Sequence, residues 1–181
     1  MKRFYSLVLA GVCAVLCPLS FVSCDSDDND GQQQQKVEKD IDPKEWKAAI
    51  NGTWENVINN SQGHEVSIIN GVKIERDYTI SSVERYSFNV ASNTGTCYYK
   101  STKLYNGETT PEVTLTDYDF KYEFNQSYDD FFQSYSTSIG YTITSIREGA
   151  KYHKVGETGY LEVRSVKASE ITLDMTTYKK K

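Results

Sequence analysis

The sequence predicts an all-β domain, an antiparallel meander of eight or nine strands closed into an up-and-down barrel or stacked as a two-layer β-sandwich. Three observations lead there. From Gly52 onward, apolar and polar residues alternate with a period of two, most cleanly where Tyr118, Phe120, Tyr122 and Phe124 interleave with Asp119, Lys121 and Glu123. Asn70-Gly71 between two apolar runs signals a hairpin, because a two-residue loop of this kind needs positive φ at both positions. Only two segments show helical spacing, and both are short, so nothing is available to cross between parallel strands.

Ahead of that domain lies an export segment. Lys2-Arg3 is a basic n-region, and Leu7 to Leu16 forms an apolar h-region ended by Pro18. The alternative is a transmembrane anchor, but Pro18 and Ser20 interrupt a run that barely reaches the roughly 20 apolar residues a spanning helix needs. Val22-Ser23-Cys24 resembles the lipobox of bacterial lipoproteins, with Phe21 in place of the usual Leu. That resemblance implies cleavage after residue 23, a signal peptide over 1–23, and fatty acyl chains such as palmitate on Cys24. The acidic run Asp25 to Asp30 resembles the export signal of surface lipoproteins in Bacteroidota-type bacteria, which implies an outer-membrane protein facing the cell exterior. The plainer reading of the run is a solvated spacer. With Gln32 to Gln35 it makes residues 24–40 a polar tether too poor in apolar area to fold, leaving 41–181 as the domain.

Loss of the signal takes away Lys2 and Arg3 and leaves a net charge of −7. That excludes a basic nucleic-acid face. Cys13 and Cys17 leave with the signal and Cys24 goes to lipid, so Cys97 has no intrachain partner. A buried small hydrophobe suits it better than a catalytic thiol.

The domain opens on Asp42-Pro43-Lys44-Glu45-Trp46. Asp42 caps, Pro43 takes the first helical position, Glu45 completes a capping box and Asn51-Gly52 ends a short helix. Gly52 to Ile58, Val66 to Ile69, Val72 to Ile74, Tyr86 to Val90 and Thr96 to Tyr105 read as strands. Val113 and Leu115 sit on the opposite parity to Tyr118, which places a bulge near Thr116-Asp117. Tyr128, Phe131, Phe132 and Tyr135 then fall at i, i+3, i+4 and i+7 behind Ser127, Asp129 and Asp130, the pattern of a second short helix. Its aromatic stripe suits a lid over the core better than a partner-binding face. Ile139 to Thr144, Lys151 to Val155, Tyr160 to Val166 and Ile171 to Thr176 complete the strands.

Gly52-Thr53-Trp54 after a capped helix resembles the G-x-W signature of lipocalins. Thr116-Asp117-Tyr118 resembles their second motif, and Gly159 to Val163 with Ser169 to Leu173 resembles the last hairpin of lipocalin-like lipoprotein domains. The resemblance covers about residues 43–181. It departs from true lipocalins in the short Gly52-to-Thr116 spacing and in the position of the second helix. It implies a barrel closed at one end by Trp54, stacked against Arg164 or, second, Arg147; Gly52, Trp54 and Arg164 are then structural. A ligand would enter at the other end, past inward rings at Tyr86, Phe88, Tyr118, Phe120, Tyr122, Phe124 and Tyr141.

Chemistry finds little footing. His64 and His153 are far apart, no His/Cys cluster has metal spacing, and no nucleophile elbow, P-loop or dinucleotide fingerprint occurs. The expectation is a non-enzyme with no cofactor and no metal. Its partners would be the membrane, through lipid on Cys24, and a small apolar or amphipathic ligand inside the barrel. The alternative is a surface interaction or structural protein of an envelope complex, or one that contacts host or glycan material. An aromatic-filled interior and exposed aromatic patches would favour that second reading.

Overall fold

The computed structural model describes residues 38–149 and 151–181. The signal segment, Cys24 and most of the expected tether lie outside the described residues. The last part of that tether is held to the domain, the Glu38 carboxylate accepting from the Ser169 N–H at 3.1 Å, and just after it the Ile41 N–H donates to the Val166 carbonyl at 2.8 Å.

Asp42 caps a 3₁₀ turn over Pro43–Glu45 by accepting from the Lys44 N–H at 2.9 Å. A single turn of helix follows, α1 (Trp46–Ala49). The capping box expected at Glu45 does not form; Glu45 makes no side-chain cap. Burial rather than propensity holds so short a helix. Trp46 is buried and donates its indole N–H to the Ile41 carbonyl at 2.7 Å, and Ile50 is fully buried.

Eight strands follow, β1 (Gly52–Ile69), β2 (Val72–Asn89), β3 (Thr94–Tyr105), β4 (Glu112–Asp129), β5 (Ser134–Glu148), β6 (Thr158–Val166), β7 (Glu170–Leu173) and β8 (Thr176–Lys180). Each pairs antiparallel with the next, and β8 returns to β1, so the sheet is a closed up-and-down barrel rather than a sandwich. The seam is narrow: β8 meets β1 at Trp54↔Lys180 and Glu55↔Lys179.

Several elements differ from the sequence expectation. The two runs Gly52–Ile58 and Val66–Ile69 are one strand, with an irregularity between Ile58 and Ser61 where Asn60 takes φ 50°. The helix expected over Ser127–Tyr135 is the tip of the β4–β5 hairpin, so only one short helix exists among the described residues. Asp129 does cap, accepting from the N–H groups of Phe131 and Phe132, but the chain reverses at Gln133 with φ 49°. An N-cap and a side-chain-capped turn use the same hydrogen bonds, and only length separates them. Lys151 to Val155 is a turn-rich connection, not a strand. The run through Met175 is broken by a turn: Asp174 takes φ 53°, Met175 is exposed, and the residues after it form β8. The bulge expected near Asp117 is present, as register shifts at Asp117/Tyr118 and Asp119/Phe120.

Two hairpins outrun the barrel at opposite ends, because β1 and β4 run antiparallel. β3 follows β2 only as far as Tyr78↔Tyr105, leaving β1 and β2 to pair alone up to Ile69↔Val72 around Asn70-Gly71 (φ 51° and 80°). β3 follows β4 only to Lys121, and β6 follows β5 only to Ser138, so the β4–β5 arm extends alone to its tip.

Three inward or arm-facing glycines lie directly opposite an aromatic residue on the neighbouring strand: Gly63↔Tyr78, Gly95↔Phe120 and Gly159↔Tyr141. In each pair the ring lies across the glycine, within 2.4 to 2.6 Å of where a Cβ would stand. The missing side chain is the space the ring occupies.

Candidate functional site

The seven rings expected to line a cavity all face inward, and they pack on one another. Tyr86, Phe88, Tyr118, Phe120 and Tyr122 are buried; Phe124 and Tyr141 pack against them partly buried. Tyr86 stacks on Phe88 at 6.1 Å, and Phe88 meets Tyr122 edge-on at 5.5 Å. Phe120 touches both Phe88 (5.9 Å) and Tyr141 (5.7 Å), and Tyr178 closes on Tyr86 at 5.6 Å. These are separations of mutually contacting rings, so the side chains are one another's packing partners.

Tyrosine hydroxyls and one thiol give this core a polar seam. Burial pushes the Cys97 thiol up to about 11, with hydrogen bonds to Tyr118 and Tyr86 pulling partly against it. That direction is opposite to an activated thiolate. Burial likewise raises Tyr86, Tyr118 and Tyr178 above the ordinary phenol value. The Tyr122 hydroxyl is buried with no hydrogen-bond partner among the described residues. Between the β2–β3 turn and β4 to β6 lies an open cleft of about 780 Å³ lined by Asn93, Lys121, Tyr122, Tyr141 and Thr158.

The end expected to be structural is built differently from the lipocalin pattern. Trp54 is fully buried and donates its indole N–H to the Ile50 carbonyl at 2.7 Å. The cation beside its ring is Lys180, with Nζ 5.1 Å from the centroid. Arg164 instead points to solvent and pairs with Glu162 at 2.8 Å, and Arg147 pairs with Asp117 and Asp119. Register decides this: β8 is the strand that meets Trp54 at the seam. Gly52, with φ 118°, lets the chain turn from α1 into β1.

The other end carries a cluster the sequence reading missed. Lys103 Nζ lies 4.0 Å from the Tyr78 ring and 4.7 Å from that of Tyr105, and it pairs with Glu65. Arg76 covers Tyr105 at 3.8 Å, and the Tyr105 hydroxyl donates to Glu65 at 3.0 Å. Lys103 and Tyr105 hold Glu65 below the usual carboxylate value. The alternation of Lys103 with Tyr105 was the available signal, but the inward face of β3 could not be read without its partners. Past this cluster the β1–β2 arm exposes Val66, Ile68, Ile69 and Val72.

The β4–β5 tip, the third feature, exposes Phe131 and Phe132. Among the described residues no group of His, Cys, Asp and Glu is placed to hold a metal ion, and no helix is long and apolar enough to cross a membrane.

No family model, curated protein or solved structure matches this chain. Function therefore rests on its own geometry.

Proposed function

We propose that this chain is a lipid-anchored, lipocalin-like protein of the bacterial outer-membrane surface that acts by contact, without chemistry of its own. The barrel is the scaffold and its outer surface and arms are the working parts. The observation that carries this is the interior: the rings expected to line a cavity are packed against one another instead. Apolar side chains are displayed instead at the two hairpin ends, at Ile68, Ile69 and Val72 on one and at Phe131 and Phe132 on the other. Beyond Asn56 the outer edge of β1 has no strand partner among the described residues, and Val57 and Ile58 stand exposed along it. An open strand edge with apolar side chains is a surface suited to a protein partner.

Native mass spectrometry of the chain released from its own envelope tests this. The expected result is a chain beginning at Cys24 with acyl mass attached, either bare or with a second protein bound. A reproducible small-molecule adduct lost on denaturation would overturn the contact reading in favour of a small-ligand carrier. One observation favours that second reading: Tyr122, whose buried hydroxyl has no partner among the described residues, is one of the residues lining the 780 Å³ cleft.

A further inference from the structure

We infer that the β4–β5 tip is a membrane-seating device: Phe131 and Phe132 enter the headgroup–acyl boundary of the bilayer that holds the lipid anchor, with Tyr128 at the level of the headgroups. The inference rests on the lipid-anchored reading above.

The two phenylalanines are 85% and 72% exposed, and Tyr128 is 50% exposed. A fixed turn displays them. One Asp129 carboxylate oxygen accepts from the Phe131 N–H at 2.9 Å and the Phe132 N–H at 3.0 Å, and Gln133 reverses the chain at φ 49°. The molecule contains its own control. The β2–β3 turn repeats this construction: Asn89 accepts from the N–H groups of Ala91 at 3.1 Å and Ser92 at 3.3 Å, and Asn93 takes φ 51°. Where that turn carries Ala91 and Ser92, the β4–β5 turn carries Phe131 and Phe132. The turn geometry therefore does not require the rings.

Position supplies the partner. Both turns lie at one end of the barrel, but β3 leaves β4 at Lys121, and β4 continues to Asp129. At roughly 3.3 Å per residue the phenylalanine turn reaches about 25 Å further along the strand than its counterpart. The same end receives the incoming chain: Ile41 is bonded to Val166, Glu38 to Ser169, and Pro43 to Gln126 on the arm itself at 2.9 Å. From Cys24 to Glu38 the chain can span at most about 50 Å. The lipid therefore confines this end of the domain near the bilayer, where even weak insertion is amplified by high effective concentration.

Size selects a bilayer over a protein. Two adjacent rings on a two-stranded ribbon offer roughly 150–250 Å² each, well short of the roughly 800 Å² per partner of a standard protein interface. They suffice for interfacial seating, where aromatic side chains are favoured.

The test places tryptophan at the tip of the full mature chain. Phe132→Trp and, as control, Ala91→Trp are reconstituted in phosphatidylcholine–phosphatidylethanolamine vesicles carrying brominated acyl chains; Trp46 and Trp54 are buried and give a constant background. Phe132→Trp should be quenched at least twofold and blue-shifted, and Ala91→Trp should not. Phe131→Ala with Phe132→Ser copies the other turn and should cut vesicle binding of the Cys24→Ala chain at least tenfold with the fold intact. If the acylated chain floats with vesicles while Phe132→Trp stays unquenched, the seating is wrong and the anchor stands. If intact mass shows no acyl group, the anchor is wrong; quenching of Phe132→Trp would then still support the seating, and its absence would overturn it. Loss of a cross-link to an envelope protein in the double variant, with no change in vesicle binding, would also overturn it in favour of a protein partner.

Discussion

Gly95→Ala should destabilise the domain far more than Gly63→Ala, although both glycines face an aromatic ring across a strand pair. At Gly95 the new Cβ would stand 2.5 Å from Phe120 Cζ and 2.5 Å from the Ser87 carbonyl oxygen, where ordinary contact begins at 3.4 Å. Neither neighbour can yield. The oxygen belongs to the backbone of β2, and Phe120 is 1% exposed among Phe88, Tyr118, Tyr122 and Tyr141. Overpacking of this kind costs about 1–3 kcal/mol. That is a large part of a typical 5–15 kcal/mol and worth a Tm loss of about 3–10 °C at this size. At Gly63 the clash is with the end of the Tyr78 side chain on the arm, which can swing, and removing a strand glycine returns roughly 0.5–1 kcal/mol. Gly63→Ala should be near neutral. Gly159→Ala, opposed only by the partly buried Tyr141 ring, should fall between. Urea unfolding of the three variants measures the order from their midpoints at constant slope. Equal losses at Gly95 and Gly63 would refute the claim that the β2 backbone and the locked Phe120 ring, unlike Tyr78, cannot yield.

Trp54→Ala should cost about 3–5 kcal/mol by denaturation, since it empties the sealed end and orphans the Ile50 carbonyl. Lys180→Ala should cost about 0.5–1 kcal/mol through the lost ring contact, and Arg164→Ala should stay within about 0.5 kcal/mol; the reverse order would restore Arg164 as the barrel-closing cation. Arg85, with Lys181, holds Glu55 below the usual Glu value of 4.5, and Arg147, with Ser145, holds Asp119 below the usual Asp value of 3.8. Depressed carboxylates stabilise the fold above those values and lose that contribution as pH falls through the folded pKa, so Glu55→Gln and Asp119→Asn should flatten the acid limb of a stability–pH profile, less so in high salt. Cys97, buried and raised to about 11, should resist a thiol reagent in the folded protein at pH 8 and react fully once denatured; rapid native labelling would mean the barrel opens.

Elements whose determinants are local were legible. Asn70-Gly71 forms the expected turn because both residues tolerate positive φ. The Tyr118-to-Phe124 alternation names the inward face of β4 because period two is a property of the strand itself. Features set by distant partners were not legible. Lys180 rather than Arg164 meets Trp54 because of which strand closes the sheet. The inward side of β3, with Lys103 and Tyr105, depends on β2 and β4. The phenylalanine tip was misread for a third reason: Asp129 makes the bonds of a helix cap, and nothing in a nine-residue window distinguishes a first helical turn from a hairpin loop. Cavity or solid core could not be read either, since the same seven aromatics suit both.

The two-residue seam sets a timetable for assembly. The strand that completes the cylinder is the eighth in order, and Tyr178, which shields Tyr86 from one side, arrives with it. A chain folding from its N-terminus can zip β1 to β2 and β4 to β5 as local hairpins, yet its ring-lined interior stays wet until β8 docks on Trp54 and Glu55. During that interval the exposed aromatics form an adhesive trough. Residence time as an open trough, rather than the strength of the finished barrel, should then govern how much of this protein escapes aggregation.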